Sequence, residues 1–365
     1  NCSYNLLFLL EAARPQVKLT DRMGTWVIPA DTVRVVREEG LIERVKYRPS
    51  QAGRIRTIAA TLDSGQKLAA RDLAQGEKDI SSLNSETARG TLDLAAELLQ
   101  YRYARRELEK EAFNMKFLSI LTFRSTLASR KVEDYRIDPP PQPEDGHNTG
   151  RFSFSAGSRD DAPFVEAGWR PAYHDLLDPE PGYVDGAQIN FMDTLLRYYP
   201  RENAIRLHKL HLVDIVSLTP WDLFFRRISW KVSAGFDQEV HRDGRDHLLF
   251  RLNTGGGIAS PVPRVGLAYV VGETDVNFGD RLRNNGALGF GANAGILAPV
   301  SKVWKMNLSG QVFYYPVGDE HLSVRGGIAT DYSISRNQSI RLSIEMMRSF
   351  NHELLEVRGG WNLFL

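Results

Sequence analysis

The chain has one cysteine among its 365 residues, Cys2, so no disulfide can form within it. It has no stretch approaching the roughly 18 uninterrupted apolar residues that a membrane-spanning helix needs. Neither sign of charge dominates: 46 Lys and Arg stand against 45 Asp and Glu, a formal net charge of +1. That balance gives no electrostatic footprint for nucleic acid, and no nucleic-acid partner is expected. A phosphate loop is missing too, because Gly255-Gly256-Gly257 is followed by neither Lys-Ser/Thr nor a helix. No cofactor is expected. The mean hydropathy of −0.33 is that of a soluble chain. A transmembrane β-barrel has similar values, since its strands give only alternate residues to lipid. With spanning helices excluded, anything here that crosses a membrane must be a closed sheet. Beginning at Asn1, without Met or a basic signal region, the chain reads as a piece of a longer protein.

What is present falls into three zones. Residues 1–62 predict a short helix from Asn1 to Ala13, stopped by Pro15, then strand-like pieces such as Thr25-Trp26-Val27-Ile28-Pro29. Asp31 is the expected N-cap of a second helix through Val33, Val36 and Arg37, closed by Gly40. Lys46-Tyr47-Arg48-Pro49-Ser50 marks a turn before the stretch from Ile55 to Leu62. Residues 63–145 form a helical connector and linker. Leu94, Leu98, Tyr101, Leu108, Ala112 and Met115 recur at helical spacing, interrupted near Arg105, which predicts a long amphipathic helix or a hairpin. The mixed charge around them suits water better than a membrane surface. The proline-rich run from Ile137 to Gly146 continues neither helix nor central strand and is the clearest boundary in the chain.

From Arg151 the period becomes two. Trp304, Met306, Leu308, Val312 and Tyr314 share one face of a strand whose other face carries Lys305, Asn307, Ser309 and Gln311. The same alternation recurs around Trp230, Ile340 and Leu355, with turn signals such as Arg242-Asp243-Gly244 between the runs. The expected strands are 151–159, 162–172, 186–199, 204–217, 228–240, 247–259, 263–276, 286–298, 302–315, 321–334, 338–350 and 353–365. Twelve is an even number, as single-chain bacterial barrels require. A soluble sandwich or soluble barrel also alternates, but three features favour a membrane barrel over residues 150–365. Lys, Arg and Glu sit mid-strand on the polar face, glycine is abundant, and the strands exceed the roughly 5–6 residues usual in soluble sheets. Tyr198, Tyr199, Trp221, Phe224, Phe225, Tyr314 and Tyr315 are the expected aromatic girdles. The ending Trp361-Asn362-Leu363-Phe364-Leu365 resembles the signal read by the barrel-insertion machinery. The expectation is a bacterial outer-membrane protein with its N-terminal part in the periplasm, in contact with outer-membrane lipid.

Few residues offer chemistry. Cys2 opens an apolar helix, where unpaired N–H groups and the dipole stabilise a thiolate, although a small buried thiol under a core helix fits the same position. His208 and His211, three apart in a strand, are expected on opposite faces, which is poor for a shared metal. No metal site is expected. His174, Asp175 and Asp178 have no serine motif beside them and read as a solvated loop, and Asp160-Asp161 reads as a turn.

The run from Asn1-Cys2-Ser3 to Ala13-Arg14-Pro15 resembles the nucleophile segment of the circularly permuted papain-like hydrolases, relatives of the NlpC-type cysteine peptidases and of lecithin retinol acyltransferase. More narrowly, it resembles the Lnb N-terminal periplasmic domain family, a bacterial family of undefined activity. Trp26 to Val33, Tyr47-Arg48-Pro49-Ser50 and Trp169 to Asp178 fit that family as well, in the same order along most of the chain. The resemblance implies that residues 1–62 are the tail of a papain-like α+β domain in which Cys2 is the nucleophile. It also implies an envelope amide or ester, cell-wall peptide or lipid, as substrate. In permuted members the catalytic histidine precedes the cysteine. All eight histidines here lie at or beyond His147, so the base is expected upstream and this chain alone is expected to be inactive. The alternative is a non-enzymatic barrel, a channel or envelope scaffold, with the helical zone as a partner-binding element.

Overall fold

The computed structural model describes residues 2–24, 27–83, 88–127 and 135–365. Asn1, Thr25 and Trp26, which belong to the expected helix start and strand-like piece, lie outside them. Two compact units form, one of residues 1–43 with 141–365 and one of residues 44–140.

In the first unit, helix α1 (Cys2–Ala13) and helix α2 (Pro29–Glu38) pack around Leu7, Leu19 and Val35. No strand forms among the described residues of 2–62. Val27 and Ile28 instead lead into α2, because Pro29, whose missing N–H is no loss at a helix start, occupies its first position. Ile28 is therefore the cap, and Asp31 is not. The Asp31 carboxylate accepts from Arg34 (2.6 Å) and from the Thr149 hydroxyl (2.7 Å). Gly40, at φ +66°, ends the helix region as its backbone freedom predicts. Arg34 is buried and donates to the carbonyls of Glu144 (3.2 Å), Gly146 (3.2 Å) and His147 (2.6 Å). One guanidinium thus ties α2 to the segment that enters the barrel.

The barrel wall is a single antiparallel sheet: β1 (Arg151–Arg159), β2 (Ala162–Arg170), β3 (Ala172–His174), β4 (Ala187–Tyr199), β5 (Ala204–Ser217), β6 (Ser229–Val240), β7 (Asp246–Val262), β8 (Gly266–Phe278), β9 (Gly286–Pro299), β10 (Trp304–Val317), β11 (His321–Ser335), β12 (Gln338–Ser349) and β13 (His352–Phe364). Each strand pairs with the next except β2 and β3, which both pair with β4, and β1 pairs with β13. The sheet therefore has no free edge. β3 continues β2 across Pro171 in one register, since Trp169 faces Thr194 and Ala172 faces Phe191 on β4. Proline supplies no ladder N–H, so the line breaks there without changing partner. Counted as lines of chain, the barrel has twelve strands. The closing pair β1–β13 is antiparallel, which only an even number permits.

Two-residue turns at Asp160-Asp161 and Phe350-Asn351 carry positive φ at both positions, the geometry that matches strand twist. Outward residues are apolar and exposed, among them Phe154, Ile205, Leu308, Ile328, Leu342, Ile344 and Val357. Most inward residues are charged or polar and buried, among them Arg170, Arg197, Asn253, Asp275, Asp331 and Asn362, with buried apolar clusters about Leu249 and Phe313 and about Tyr269 and Val271. The outward band runs from Trp304 to Tyr314 on β10, ten residue steps, or roughly 33 Å along a strand and about 25 Å after tilt. Three girdle residues of the expected set point inward instead: Tyr199, Phe225 and Tyr315 are buried. Tyr199 and Tyr315 each neighbour an outward aromatic on their strand, where adjacent residues face opposite sides, while Phe225 lies in the segment between β5 and β6.

The second unit is helical: α3 (Gln51–Ala60), α4 (Ser64–Gln75), α5 (Ala88–Ala104) and α6 (Lys110–Thr126). Asp63 and Gln66 form a capping box on α4, and Gly76 in the left-handed region ends it. α5 and α6 are the hairpin reading of the spacing, divided where Arg106 takes φ +60°. Ile55, Leu73, Leu92, Leu94, Leu98, Leu99 and Ile120 are buried in it. No described helix is long and apolar enough to cross a membrane.

If the outer face meets hydrocarbon, Leu308→Arg at mid-band will destabilise the barrel by about 2–4 kcal/mol in urea titrations with lipid vesicles. In a water-exposed barrel the same change would be close to neutral.

Candidate functional site

The inner face defines the site. One rim, where Gly150 and Leu365 exchange backbone hydrogen bonds, is the terminal rim, and the opposite one is the far rim. At the terminal rim the β3–β4 loop folds into the lumen. Its local shape is set by two aspartates: the Asp175 carboxylate accepts from the N–H groups of Leu177 (2.9 Å) and Asp178 (3.1 Å), and Asp178 accepts from the Asp175 N–H (2.9 Å). That turn presents both carboxylates to guanidinium groups from three strands. Asp178 accepts from Arg151 of β1 (2.9 Å) and Arg341 of β12 (3.0 Å), and Arg170 of β2 lies 2.6 Å away. Asp175 accepts from Arg341 (2.8 Å) and from Arg151. The expected solvated loop is therefore a buried plug. Sequence reasoning missed it because the partners of the loop lie up to 166 residues away.

Two further charged layers cross the lumen. Arg197 lies between Glu166 (2.7 Å) and Glu356 (2.6 Å) with its guanidinium over the Phe164 ring, and Arg358 reaches Glu166 (3.1 Å). Towards the far rim Arg325 donates to Glu239 (2.9 Å), Arg251 to Asp275 (2.7 Å) and Tyr315 to Asp275 (2.6 Å). Polar cavities of about 220 and 310 Å³ lie between the layers. The far rim is capped by stacked rings, with Tyr315 on His321 (4.4 Å), His321 on Phe350 (3.7 Å) and Phe350 on His241 (5.7 Å).

At the terminal rim His147, His174 and Tyr183 stack, with Phe364 of β13 against His147 (4.2 Å). His147, His174 and Asp178 have ligand atoms within 4.8 Å of one another, so a metal must be considered. The residues do not fit one. His147 Nδ1 is 2.6 Å from the Asn148 carbonyl, which can only accept, so that nitrogen carries the proton. His147 Nε2 then accepts from His174 Nδ1 (2.9 Å), and the pair is satisfied without an ion. Burial pushes His147 down to about 4, which keeps it neutral. The third ligand, Asp178, is already held by three guanidinium groups.

His208 and His211 both line the 310 Å³ cavity, contrary to the expected opposite faces. The ladder jumps from Leu195–Lys209 to Leu196–Leu207, leaving His208 as a bulge that resets the alternation. His211 bonds Asp237 (2.9 Å). Cys2 is a free, exposed thiol in the first turn of α1, and no hydrogen bond among the described residues brings a histidine to it. Removing one carboxylate from the plug leaves guanidinium charge buried without its partner, so Asp178→Ala will destabilise the barrel by about 3–5 kcal/mol in the same urea titration.

No curated protein matches the chain. Solved barrels do, at low similarity. A KdgM porin in complex with disordered oligogalacturonate matches at 7% identity and TM-score 0.35, with 59% of this chain and 99% of that one covered. A NanC porin matches at 5% and 0.38 (59% and 100%). The COG4313 outer membrane channel from Pseudomonas putida F1 matches at 9% and 0.37 (64% and 100%). Closure of the barrel rests on its own strand pairing. Residues 45–134 match a second family, described as Domain of unknown function (DUF7842). Residues 140–364, the whole barrel and more than half of the chain, match one family model, and the chain belongs to the family described as Domain of unknown function (DUF7840).

Proposed function

We propose that the chain is an outer-membrane anchor: a sealed barrel that holds its N-terminal segment and helical unit at the periplasmic surface, where residues 44–140 bind a partner. The observation that carries this reading is the plug, in which Asp175 and Asp178 bind Arg151, Arg170 and Arg341 across the lumen. Barrels of about 8 strands are filled by side chains and those of 16–18 are open, so at twelve the filling decides. Here charged layers and ring stacks occupy the lumen from rim to rim. A closed sheet with an apolar outer band about 25 Å tall supports the membrane setting. The purified full chain is expected to migrate as a heat-modifiable band, to need detergent, and to give no steady conductance in planar bilayers. Open-channel currents from the unmodified barrel would replace the anchor with a channel.

A second reading rests on Cys2. Its exposure at a helix start, together with the resemblance of its segment to the Lnb N-terminal periplasmic domain family and to permuted papain-like enzymes, supports a thiol hydrolase or acyltransferase in the full-length protein. The thiolate would attack the carbonyl carbon of an envelope amide or ester, cell-wall peptide or lipid, forming a thioester as the C–N or C–O bond breaks and the amine or alcohol leaves with a proton. Iodoacetamide labelling of the full-length protein at mildly acidic pH is expected to be fast at Cys2 and abolished by Cys2→Ser. A rate equal to that of a free thiol would remove this reading.

A further inference from the structure

The two rims differ in a way that bears on which lipid each one meets. At the terminal rim four outward turns follow β5, β7, β9 and β11, and each carries an exposed base: Arg226 (with Arg227 next to it), Arg264, Lys302 and Arg336. Exposed apolar residues stand near three of them: Ile228 after Arg226 and Arg227, Val265 beside Arg264, and Val300 and Val303 about Lys302. Among the described residues none of these four bases forms an ion pair, and Arg336 reaches only the Asn148 side chain (3.4 Å). The carboxylate in these four turns, Asp222, accepts from the Phe224 and Phe225 N–H groups (2.9 and 2.7 Å). The β3–β4 loop at the same rim adds, beyond the plug aspartates, Glu180, paired with Lys305 (3.0 Å), and an exposed Asp185. The far-rim turns carry five arginines against seven Asp or Glu.

A second asymmetry is independent of the first. The five described tryptophans, Trp169, Trp221, Trp230, Trp304 and Trp361, all sit near the terminal rim, each about two-fifths exposed. Outward aromatics near the far rim are Tyr and Phe, such as Tyr198, Phe278, Phe290 and Tyr314. Indole rings settle where hydrocarbon meets headgroups, and basic side chains one turn beyond them reach the phosphates.

We infer that the terminal rim is a collar for anionic glycerophospholipid, with the tryptophan ring at the acyl boundary and Arg226, Arg264, Lys302 and Arg336 on the headgroup phosphates. The inference deepens the anchor reading and rests on it. It also orients the barrel, with α1 and α2 on the phospholipid side.

The test uses the full chain in detergent, supplied with equal phosphatidylglycerol and phosphatidylethanolamine, washed, and analysed by native mass spectrometry. Retained phosphatidylglycerol is expected on the unmodified protein. The combined variant Arg226→Gln, Arg264→Gln, Lys302→Gln and Arg336→Gln should retain at least about tenfold less, since each base near an anionic surface contributes about fivefold. A far-rim control, Arg201→Gln with Arg245→Gln, should retain as much as the parent. Equal retention by the collar variant, preference for phosphatidylethanolamine, or preference for lipopolysaccharide phosphates in a competition arm would overturn the collar. All variants are checked for heat-modifiable migration. If the parent itself lacks it, the membrane reading fails and the collar with it.

Discussion

In the membrane setting proposed above, a backbone N–H or C=O in hydrocarbon has no water to bond, and that constraint accounts for the rest of the molecule. It forbids a sheet edge, so β1 must find β13 across nearly the whole sequence of the barrel, and the strand count must be even. It also sets where side chains cannot be. At Gly257 on β7 a Cβ would lie 2.0 Å from the Val270 carbonyl of β8, so only glycine lets the two ladders stay bonded there. Pro171 is tolerated because the chain resumes the same register one residue later.

Closure leaves an inner face that must be filled, and the filling here is ionic. Charges taken out of water lose hydration energy comparable with their mutual attraction, so such pairs hold only when every partner is in place. The plug meets that condition by sharing. Asp178 is held by three guanidinium groups, and Arg341 serves Asp175, Asp178 and Asp331 together (2.8, 3.0 and 3.0 Å). Strands β1, β2, β11 and β12 and the β3–β4 loop thereby become one network, stiff across the barrel as well as around it.

Much of the wall was legible from residue type alone. Alternation located all twelve strands to within about three residues, and the change of period after the proline-rich linker placed the start of the barrel. What escaped were features set by distant partners or by single-residue faults in the period. The bulge at His208 inverts the faces after it, and no local pattern announces it. The Asp175–Asp178 turn reads as a loop until the arginines of β1, β2 and β12 are brought over it. Tyr199 and Tyr315 were half of adjacent aromatic pairs, of which a strand can send only one outward. Asp31 had the chemistry of a cap, but Pro29 had already started the helix, and the carboxylate was free to hold Arg34 and Thr149 instead.

The ionic interior also answers a problem of the unfolded chain. An apolar filling would have packed as well, but it would have made each strand apolar on both faces. Continuous apolar runs of 12–17 residues would then follow one another through the barrel, approaching the length read as a membrane helix. Charged and polar residues recurring on the inward face of the strands keep the barrel sequence from being apolar throughout, in a chain whose mean hydropathy is −0.33, and keep the unfolded chain compatible with water. The same residues favour the one register that turns them inward, because a shift of one residue would turn them to the outer face. The alternation that permits passage through water therefore also specifies the closed fold.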